Sequence, residues 1–198
     1  MQLGRAAAVK ELVAKALEEG ISAKNVLEDA LLPGMDIIGE KFKNNQIYVP
    51  EVLIAARAMN AGAQMLKPYL TEEGVEEKGT VIIGTVKGDL HDIGKNLVKL
   101  MMEGKGLKVI DLGVDVSADK FVVAAAENDA DVIACSALLT TTMNEMKNIV
   151  IKVKEANLKT KVIIGGAPVT QSFCETIGAD GYSSDAATAA ELAMSYCN

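Results

Sequence analysis

The single histidine of this 198-residue chain stands among carboxylates, in the segment GTVKGDLHDIGKN, residues 84–96. Asp89 precedes His91 by two residues, and Asp92 follows it directly. An imidazole that binds a metal usually donates its other ring N–H to a carboxylate, which fixes the tautomer and raises the basicity of the ligand. The pattern makes His91 a candidate metal ligand and Asp89 the residue that orients its ring.

The elements that position this segment follow from a change of period near residue 80. From Thr80 onward, short apolar runs alternate with helical stretches, and uniformly apolar strands at this spacing indicate a parallel sheet covered by helices on both faces. Five repeats predict a flavodoxin-like or Rossmann-like α/β domain with strand order 2-1-3-4-5. The predicted strands are 80–86, 107–113, 131–138, 161–166 and 180–184, and the helices lie near 94–105, 117–128, 141–156, 168–177 and 185–196.

In sheets of this winding the ligand crevice lies at the carboxyl ends of the strands, where the winding reverses between the first and third strands. Residues 84–96 follow the first predicted strand. The segment CSALLTTTM, residues 135–143, follows the third. Both segments are therefore expected at the crevice.

The N-terminal part of the chain has a helical period instead. Apolar positions predict a bundle of three helices over 6–20, 22–44 and 49–70. Gly20 is placed to end the first helix and Ser22 to cap the second, which Pro33 and Gly34 should kink or interrupt. The acidic, glycine-punctuated stretch 71–79 is typical of a solvated linker. We therefore predict a helical domain over 1–74 and the α/β domain over 80–198.

The composition narrows the classes of function. Hydrophobic residues make up 49% of the chain, enough for a packed core. No run approaches about 18 uninterrupted apolar residues, and residues 1–20 carry scattered charges, which argues against a membrane span and a signal peptide. The three widely spaced cysteines are typical of reduced thiols in a cytoplasmic protein. A net charge of −7 makes nucleic acid a poor partner.

Several ligands compete for the predicted crevice. A zinc site needs at least three protein ligands, which one histidine and three scattered cysteines do not supply. A single imidazole suffices only when the metal brings its other ligands in a macrocycle. The glycine spacing is not GxGxxG, and Asp89 and Asp92 would repel a pyrophosphate. Asp111 could bind a ribose, but a carboxylate that caps a strand end is the better interpretation.

Two other ligands of this winding are weaker candidates. A phosphoryl-receiver domain should have its acceptor aspartate at the end of the third strand, where this chain has Cys135 and Ser136. A flavin stays open, but no aromatic residue lies in these loops to stack on its ring system.

These residues resemble a known family. GDLHDIG is similar to the DxHxxG signature of cobalamin-binding domains, SALLT is similar to the SxL element that follows it, and the glycine pair after the fourth strand is similar to the third element. The matching residues are Asp89, His91 and Gly94, then Ser136, Leu138 and Thr140, then Gly165 and Gly166. The helical half, notably PGMDIIGEKFKN and YVPEVLIAARAM, resembles the four-helix cap of the small corrinoid proteins of anaerobic methyltransferase systems and of the methionine synthase module.

The resemblance implies a role for each residue. His91 would be the lower axial ligand to cobalt, in place of the dimethylbenzimidazole base of the cofactor, and Asp89 would hold its second ring nitrogen. Thr142 would be the hydroxyl that relays to Asp89, where the methionine synthase module has serine; these three form the expected catalytic set. Gly84 and other small residues would line a cleft for the nucleotide tail. The expected cofactor-binding residues are Gly88, Asp89, Leu90, His91, Asp92, Gly94, Ser136, Leu138, Thr140, Gly165, Gly166, Asp185 and Ala186.

The implied function is that of a carrier subunit with little turnover of its own. It would bind cobalamin or a related corrinoid, accept a methyl group from a substrate-specific methyltransferase and pass it to a second methyltransferase that loads tetrahydrofolate or a thiol. A reductive activator protein would be a third partner. The alternatives are a cobalamin-binding sensor, which would need a DNA-binding domain, and an adenosylcobalamin mutase subunit, against which the helical cap argues. The family cap normally begins with one more helix than this chain provides before residue 6.

Overall fold

The computed structural model describes residues 3–73 and 77–197. The chain divides into two compact units, the first formed by Met1–Glu77 with Gly104–Gly106 and the second by Lys78–Glu103 with Leu107–Asn198. The predicted domains were 1–74 and 80–198. None of the helices within the described residues is long and apolar enough to span a bilayer.

The first unit is helical. Its elements are α1 (Ala6–Glu18), α2 (Ala23–Val26), a π-helical turn (Leu27–Leu31), α3 (Leu32–Lys43) and α4 (Val49–Glu72). Gly20 follows α1 with a φ of +81°, and the N–H groups of Gly20 and Ile21 donate to the carbonyls of Leu17 and Ala16, each over 3.0 Å. This is a Schellman motif, and glycine has no Cβ to oppose the left-handed conformation. Ser22 caps α2 by accepting from Asn25 N, so both predicted helix boundaries are confirmed.

The predicted interruption at Pro33 and Gly34 takes a different form. The backbone passes from α2 through the π-helical turn directly into α3, and Pro33 lies in the first turn of α3. Proline lacks an N–H and its ring crowds the turn before it, so the wider π turn immediately upstream accommodates it without a break. A kink or an interruption was expected here, and the structure has a π-helical turn at Leu27–Leu31 within one helical segment that covers 23–43.

Small residues let α4 lie close to its neighbours. Ala55, Ala56 and Ala58 are buried, and a Cβ on Gly62 would come within 2.9 Å of Val9 on α1. Because these side chains are small, the helix backbones approach each other closely, and dispersion contacts along the interface stabilise the packing.

The second unit contains five parallel strands in the order β2-β1-β3-β4-β5, which confirms the predicted winding. The strands are β1 (Thr80–Thr85), β2 (Lys108–Asp111), β3 (Val132–Ser136), β4 (Lys161–Gly165) and β5 (Gly181–Ser183). The helices are α5 (Ile93–Gly104), α6 (Ala118–Glu127), α7 (Asn144–Glu155), α8 (Gln171–Ile177) and α9 (Ala186–Tyr196).

The strand register aligns the carboxyl ends of four strands in one row. Thr85 of β1 lies opposite Ser136 of β3, which in turn lies opposite Gly165 of β4, and Gly165 lies opposite Ser183 of β5. Parallel strands share their direction, so the loops that leave these residues emerge side by side at one edge of the sheet. That edge carries the predicted site.

Candidate functional site

Asp89 and His91 form a direct pair in the loop after β1. The ring Nδ1 of His91 lies 2.7 Å from Asp89 Oδ1, and the same oxygen accepts the backbone N–H of His91 over 3.1 Å. Asp89 is fully buried, whereas the side chain of His91 is 51% exposed. The imidazole therefore stands on a buried carboxylate and presents its opposite edge to solvent.

The second oxygen of Asp89 joins this loop to the loop after β3. Asp89 Oδ2 accepts from Leu138 N over 2.8 Å and from Leu139 N over 3.2 Å. The hydroxyl of Thr142 lies 3.0 Å from the same oxygen and 2.9 Å from the carbonyl of Leu139. The carboxylate thus sits in a nest of donors supplied by two strands, and the predicted triad of Asp89, His91 and Thr142 is assembled.

The electrostatics of Asp89 keep it ionised. Burial by itself raises the pKa of the carboxyl, but hydrogen bonds from the His91 ring and from the N–H groups of Leu138, His91 and Leu139 outweigh it, and the pKa lies well below its ordinary value. An ionised carboxylate only accepts hydrogen bonds, so Nδ1 of His91 is the donor. Nε2, on the other edge of the ring, is then the nitrogen that is left available to a metal.

Thr85 and Asp115 hold the loop, and sequence reasoning missed both. Thr85 is fully buried, and its hydroxyl donates to the carbonyl of His91 over 2.8 Å. Asp115 accepts from Gly88 N over 2.7 Å, and its own N–H donates to the carbonyl of Asp89 over 3.0 Å. Gly88 has a φ of +80°, which explains a glycine at this position. A threonine at a strand end and an aspartate in the next loop give no periodic signal.

Lys95 was also missed, although it is an almost fully buried basic residue. Only 3% of the residue is exposed, and its ammonium lies 2.7 Å from each carboxylate oxygen of Asp111. Asp111 additionally accepts from Gly113 N over 2.9 Å. Asp111 therefore ends β2 as a structural carboxylate, in agreement with the interpretation preferred over ribose binding.

The remaining predicted residues of the first loop are solvent-facing. Leu90 is 71% exposed, and Asp92 accepts from the side chain of Asn96 over 3.1 Å. Gly94 lies in the first turn of α5, and a Cβ built on it would meet nothing within 4 Å. After β3, Leu138 and Thr140 are exposed as well. Exposed leucines in the two loops that Asp89 joins are suited to an apolar ligand at this end of the sheet.

The glycine pair follows β4 beside the β3 loop. Gly166 has a φ of +134°, and a Cβ on it would lie 1.8 Å from the carbonyl oxygen of Ala137. Gly165 ends β4 and a Cβ there would lie 3.2 Å from the carbonyl oxygen of Ser183. Both glycines thus let neighbouring chain segments approach, and only Gly166 requires glycine for its backbone conformation.

One expectation about a small residue changes with the structure. Gly84 was expected to line a cleft, but it is buried in β1 and a Cβ on it would lie 2.7 Å from the ring of Phe121 in α6; that expectation was wrong, because the missing side chain makes room for helix packing. Asp185 is the N-cap of α9, since its carboxylate accepts from the N–H and the hydroxyl of Thr188 over 2.8 Å each. Ala186 is buried. Both lie after β5, at the end of the row farthest from His91.

The sequence matches known protein families and relatives over nearly its whole length. A B12 binding domain model matches residues 79–191, and a second B12 binding domain model matches residues 1–67. A corrinoid protein of Desulfitobacterium hafniense is 42% identical over 190 residues, covering 93% of this chain and 88% of its relative. Trimethylamine corrinoid protein 1 of Methanosarcina mazei is 42% identical over 180 residues, covering 89% of this chain and 83% of the relative.

Solved structures agree. The methanol:cobalamin methyltransferase complex MtaBC from Methanosarcina barkeri contains a chain that superposes with a TM-score of 0.87 at 31% identity, covering 98% of this chain and 75% of that one. A cobalamin-binding protein from Desulfitobacterium hafniense superposes with a TM-score of 0.81 at 31% identity, covering 96% and 91%. The chain therefore belongs to the B12-binding corrinoid proteins of methyltransferase systems, and its cofactor is a cobalamin or related corrinoid.

The site fits such a cofactor on its own chemistry. It offers one nitrogen ligand, and a macrocycle that supplies the other ligands of its metal needs no more from the protein. Leu90 and Leu138 expose apolar side chains in the two loops that Asp89 joins, and a Cβ on Gly94 would meet nothing within 4 Å. The predicted residues around His91 thus suit a broad, largely apolar ring that approaches Nε2.

Proposed function

We propose that this chain carries a methyl group on cobalt between two methyltransferases. One would be specific for the methylated substrate, the other would load tetrahydrofolate or a thiol, and a reductive activator protein would restore the cofactor after oxidation. The bound corrinoid supplies the metal that accepts and releases the methyl group. The residues of this chain bind the cofactor, orient the axial imidazole and set its proton position.

The observation that carries the proposal is the pair formed by Asp89 and His91. Their 2.7 Å contact supports the proposal, because a proton held on Nδ1 by the carboxylate would leave Nε2 for the metal. The buried carboxylate has a second oxygen bound by Thr142, so the hydroxyl can respond to any change of charge on the imidazole–carboxylate pair. A methyl carrier needs an axial ligand that can bind the metal and be released from it. The imidazole has that freedom because, within the part of the chain that the structure describes, the protein holds it through Nδ1 alone.

Methylated amines are the donor class that we propose to test first. The trimethylamine and dimethylamine corrinoid proteins of Methanosarcina acetivorans are 43% and 38% identical to this chain. The chain in the methanol complex is 31% identical. Methyl transfer to the loaded protein, assayed with amine-specific and methanol-specific methyltransferases in parallel, decides between them.

The axial ligand is tested by electron paramagnetic resonance. The protein is loaded with cobalamin, poised as Co(II), and produced once with ordinary histidine and once with ¹⁵N-histidine, which labels position 91 alone because the chain has one histidine. We expect nitrogen superhyperfine splitting that changes from a triplet to a doublet on labelling and is absent in His91→Ala. A splitting that ignores the protein label assigns the axial nitrogen to the cofactor base and rejects the proposal.

A further inference from the structure

Two chains of hydrogen bonds lead from the buried Lys95 and its partly exposed partner Asp111 to the His91 loop. Each donor of the Lys95 ammonium has an acceptor: two are the Asp111 carboxylate oxygens at 2.7 Å, and the third is Asn96 Oδ1 at 2.8 Å. Three donors in fixed directions leave the ammonium no freedom to rotate. The pair is therefore a rigid joint between α5 and the end of β2.

The first chain runs through the end of β2. Asp111 accepts from Gly113 N over 2.9 Å, and the carbonyl of Gly113 accepts from Thr85 N over 3.0 Å. Thr85 then donates its hydroxyl to the carbonyl of His91 over 2.8 Å. A shift at the end of β2 would thus be transmitted to the backbone of His91 through Thr85.

The second chain runs along α5. Asn96, held by Lys95, donates from its side chain to Asp92 Oδ2 over 3.1 Å, and its N–H donates to the carbonyl of Asp92 over 2.8 Å. Asp92 is the neighbour of His91. The first set of hydrogen bonds therefore holds the carbonyl of His91, and the second holds Asp92, the residue after it. Neither contact is made through Asp89.

Stability alone is a poor explanation for this pair, because Lys95 is buried and the side chain of Asp111 is only 20% exposed. Removing charges from water costs free energy, and apolar residues of equal volume often serve a fold as well or better. Such a pair is instead suited to fix a geometry, since its hydrogen bonds have direction and apolar contacts do not. The direction fixed here is that of the loop that presents the imidazole.

We propose that Thr85 and the Lys95–Asp111 pair are positioning residues that hold the imidazole of His91 in its ligating orientation. The inference rests on the proposed role of His91 as axial ligand. None of the three touches the metal. Their loss should lower the ratio of imidazole-bound to imidazole-free cobalt, while the cofactor still binds and the protein still folds.

The test uses Thr85→Val, which removes only the hydroxyl, and Lys95→Met, which removes only the charge at similar length. Two controls lie at the opposite edge of the same sheet. Thr160 is a buried threonine whose hydroxyl donates to the carbonyl of Ala130 over 2.8 Å, and Lys161 pairs with Asp180 over 2.9 Å. Thr160→Val and Lys161→Met therefore remove the same chemical groups far from His91.

The first readout is the ratio of imidazole-bound to imidazole-free Co(II) in the ¹⁵N-histidine spectrum at one fixed pH. Changes in the groups that orient a metal-bound histidine typically cost 10–100-fold in affinity, and we expect about a tenfold fall in the ratio for each site variant. We expect less than about a twofold change for either control. Unchanged ratios in both site variants, or an equal fall in the controls, would overturn the proposal.

The second readout needs no cofactor. Two-bond ¹H–¹⁵N correlation spectra of the apo protein report the tautomer of its one histidine directly. We expect a single Nδ1-protonated form in the wild type and a mixture with the Nε2-protonated form in Thr85→Val and Lys95→Met. If the wild-type Co(II) spectrum contains no histidine nitrogen, the proposed axial ligand is wrong, and this apo spectrum still decides whether these residues position the ring; a single tautomer in every variant shows that they do not.

Discussion

Thr142 Oγ1 lies 3.0 Å from Asp89 Oδ2, although the two residues are 53 positions apart in the sequence. The hydroxyl carries one hydrogen, which can go either to this carboxylate oxygen or to the carbonyl of Leu139 at 2.9 Å. The choice between two acceptors at nearly equal distance gives the carboxylate an adjustable donor. It also binds the loop after β3 to the loop after β1.

Replacing Thr142 by valine removes this donor and leaves the volume almost unchanged. A hydrogen bond to a charged group contributes about 1.5–3 kcal/mol, and we expect Thr142→Val to lower the free energy of unfolding of the apo protein by about that amount. Thr142→Ser keeps the hydroxyl and should lose about 1 kcal/mol or less, for the lost methyl group. Urea unfolding measures both, and equal losses for serine and valine would show that the hydroxyl contributes nothing.

Replacing Asp89 by asparagine should reverse the tautomer of His91. The N–H groups of Leu138 and Leu139 face one carboxylate oxygen and the single backbone N–H of His91 faces the other, so the amide oxygen should turn toward the two leucines. The amide NH₂ then faces the histidine ring, and the backbone N–H of His91 loses this acceptor. Nδ1 then becomes the acceptor, and the proton moves to Nε2, the nitrogen that must bind the metal. We expect the apo ¹⁵N spectrum to report the Nε2-protonated form and the imidazole-bound fraction of Co(II) to fall at least about tenfold. A retained Nδ1 proton would contradict the assignment of donors around Asp89.

Gly166 and Gly94 should respond to alanine in opposite ways. At Gly166 the positive φ costs about 1–3 kcal/mol for any other residue, and the collision with the Ala137 carbonyl adds to it, so Gly166→Ala should destabilise the apo protein by at least about 3 kcal/mol. At Gly94, in open space on α5, alanine should stabilise the apo protein by up to about 1 kcal/mol.

Corrinoid affinity separates the two glycines further. Gly94 is a proposed cofactor contact, so the methyl group of Gly94→Ala should weaken cobalamin binding although the apo protein gains stability. Equilibrium binding followed by absorbance, beside urea unfolding, gives both quantities. Undiminished affinity in Gly94→Ala would remove this glycine from the cofactor site.

The stability of the protein in acid should report on Asp111. Burial raises the pKa of this carboxyl. Hydrogen bonds from Lys95 and Gly113 and the nearby charges of Lys95 and Lys99 lower the pKa by more than burial raises it, so the net pKa is below the ordinary value. A depressed pKa contributes stability that is complete above the unfolded-state value of about 3.9 and is lost as the pH falls toward the folded-state pKa. Asp111→Asn should therefore be markedly less stable than the wild type at pH 7, and the difference should shrink below about pH 4. Unfolding curves at pH 7 and at several pH values below about 4 test the sign, and a difference that stays constant down to the lowest pH would contradict it.

The sequence was sufficient for the sheet and for the centre of the site because both have strong local signals. Five apolar runs at helical intervals predict the winding, and the winding alone brings Asp89 and Thr142 to adjacent strand ends. The boundaries at Gly20 and Ser22 were predictable for the same reason, since capping is a local property of the chain.

What the sequence did not reveal depends on contacts between distant residues. Lys95 reads as an ordinary surface position of an amphipathic helix until β2 places Asp111 against it. Thr85 reads as strand, and only the folded loop brings the carbonyl of His91 to its hydroxyl. Gly84 was assigned to the cofactor cleft because small side chains would let the nucleotide tail pass between strands, but a helix packed on that face explains it better.

The parallel pairing of β1 with β3 has a consequence for biogenesis. Residues 80–92 leave the ribosome before the loop that follows β3. The N–H and hydroxyl donors that complete the hydrogen bonding of Asp89 lie 49 to 53 positions after it in the sequence. A parallel pair cannot close through a tight turn and must wait for its intervening crossover, which makes such contacts slow to form. The histidine is therefore synthesised early, but the hydrogen bonds that orient its ring through Asp89 can form only after β3 has joined the sheet. Capture of the cofactor should follow completion of the sheet rather than guide it.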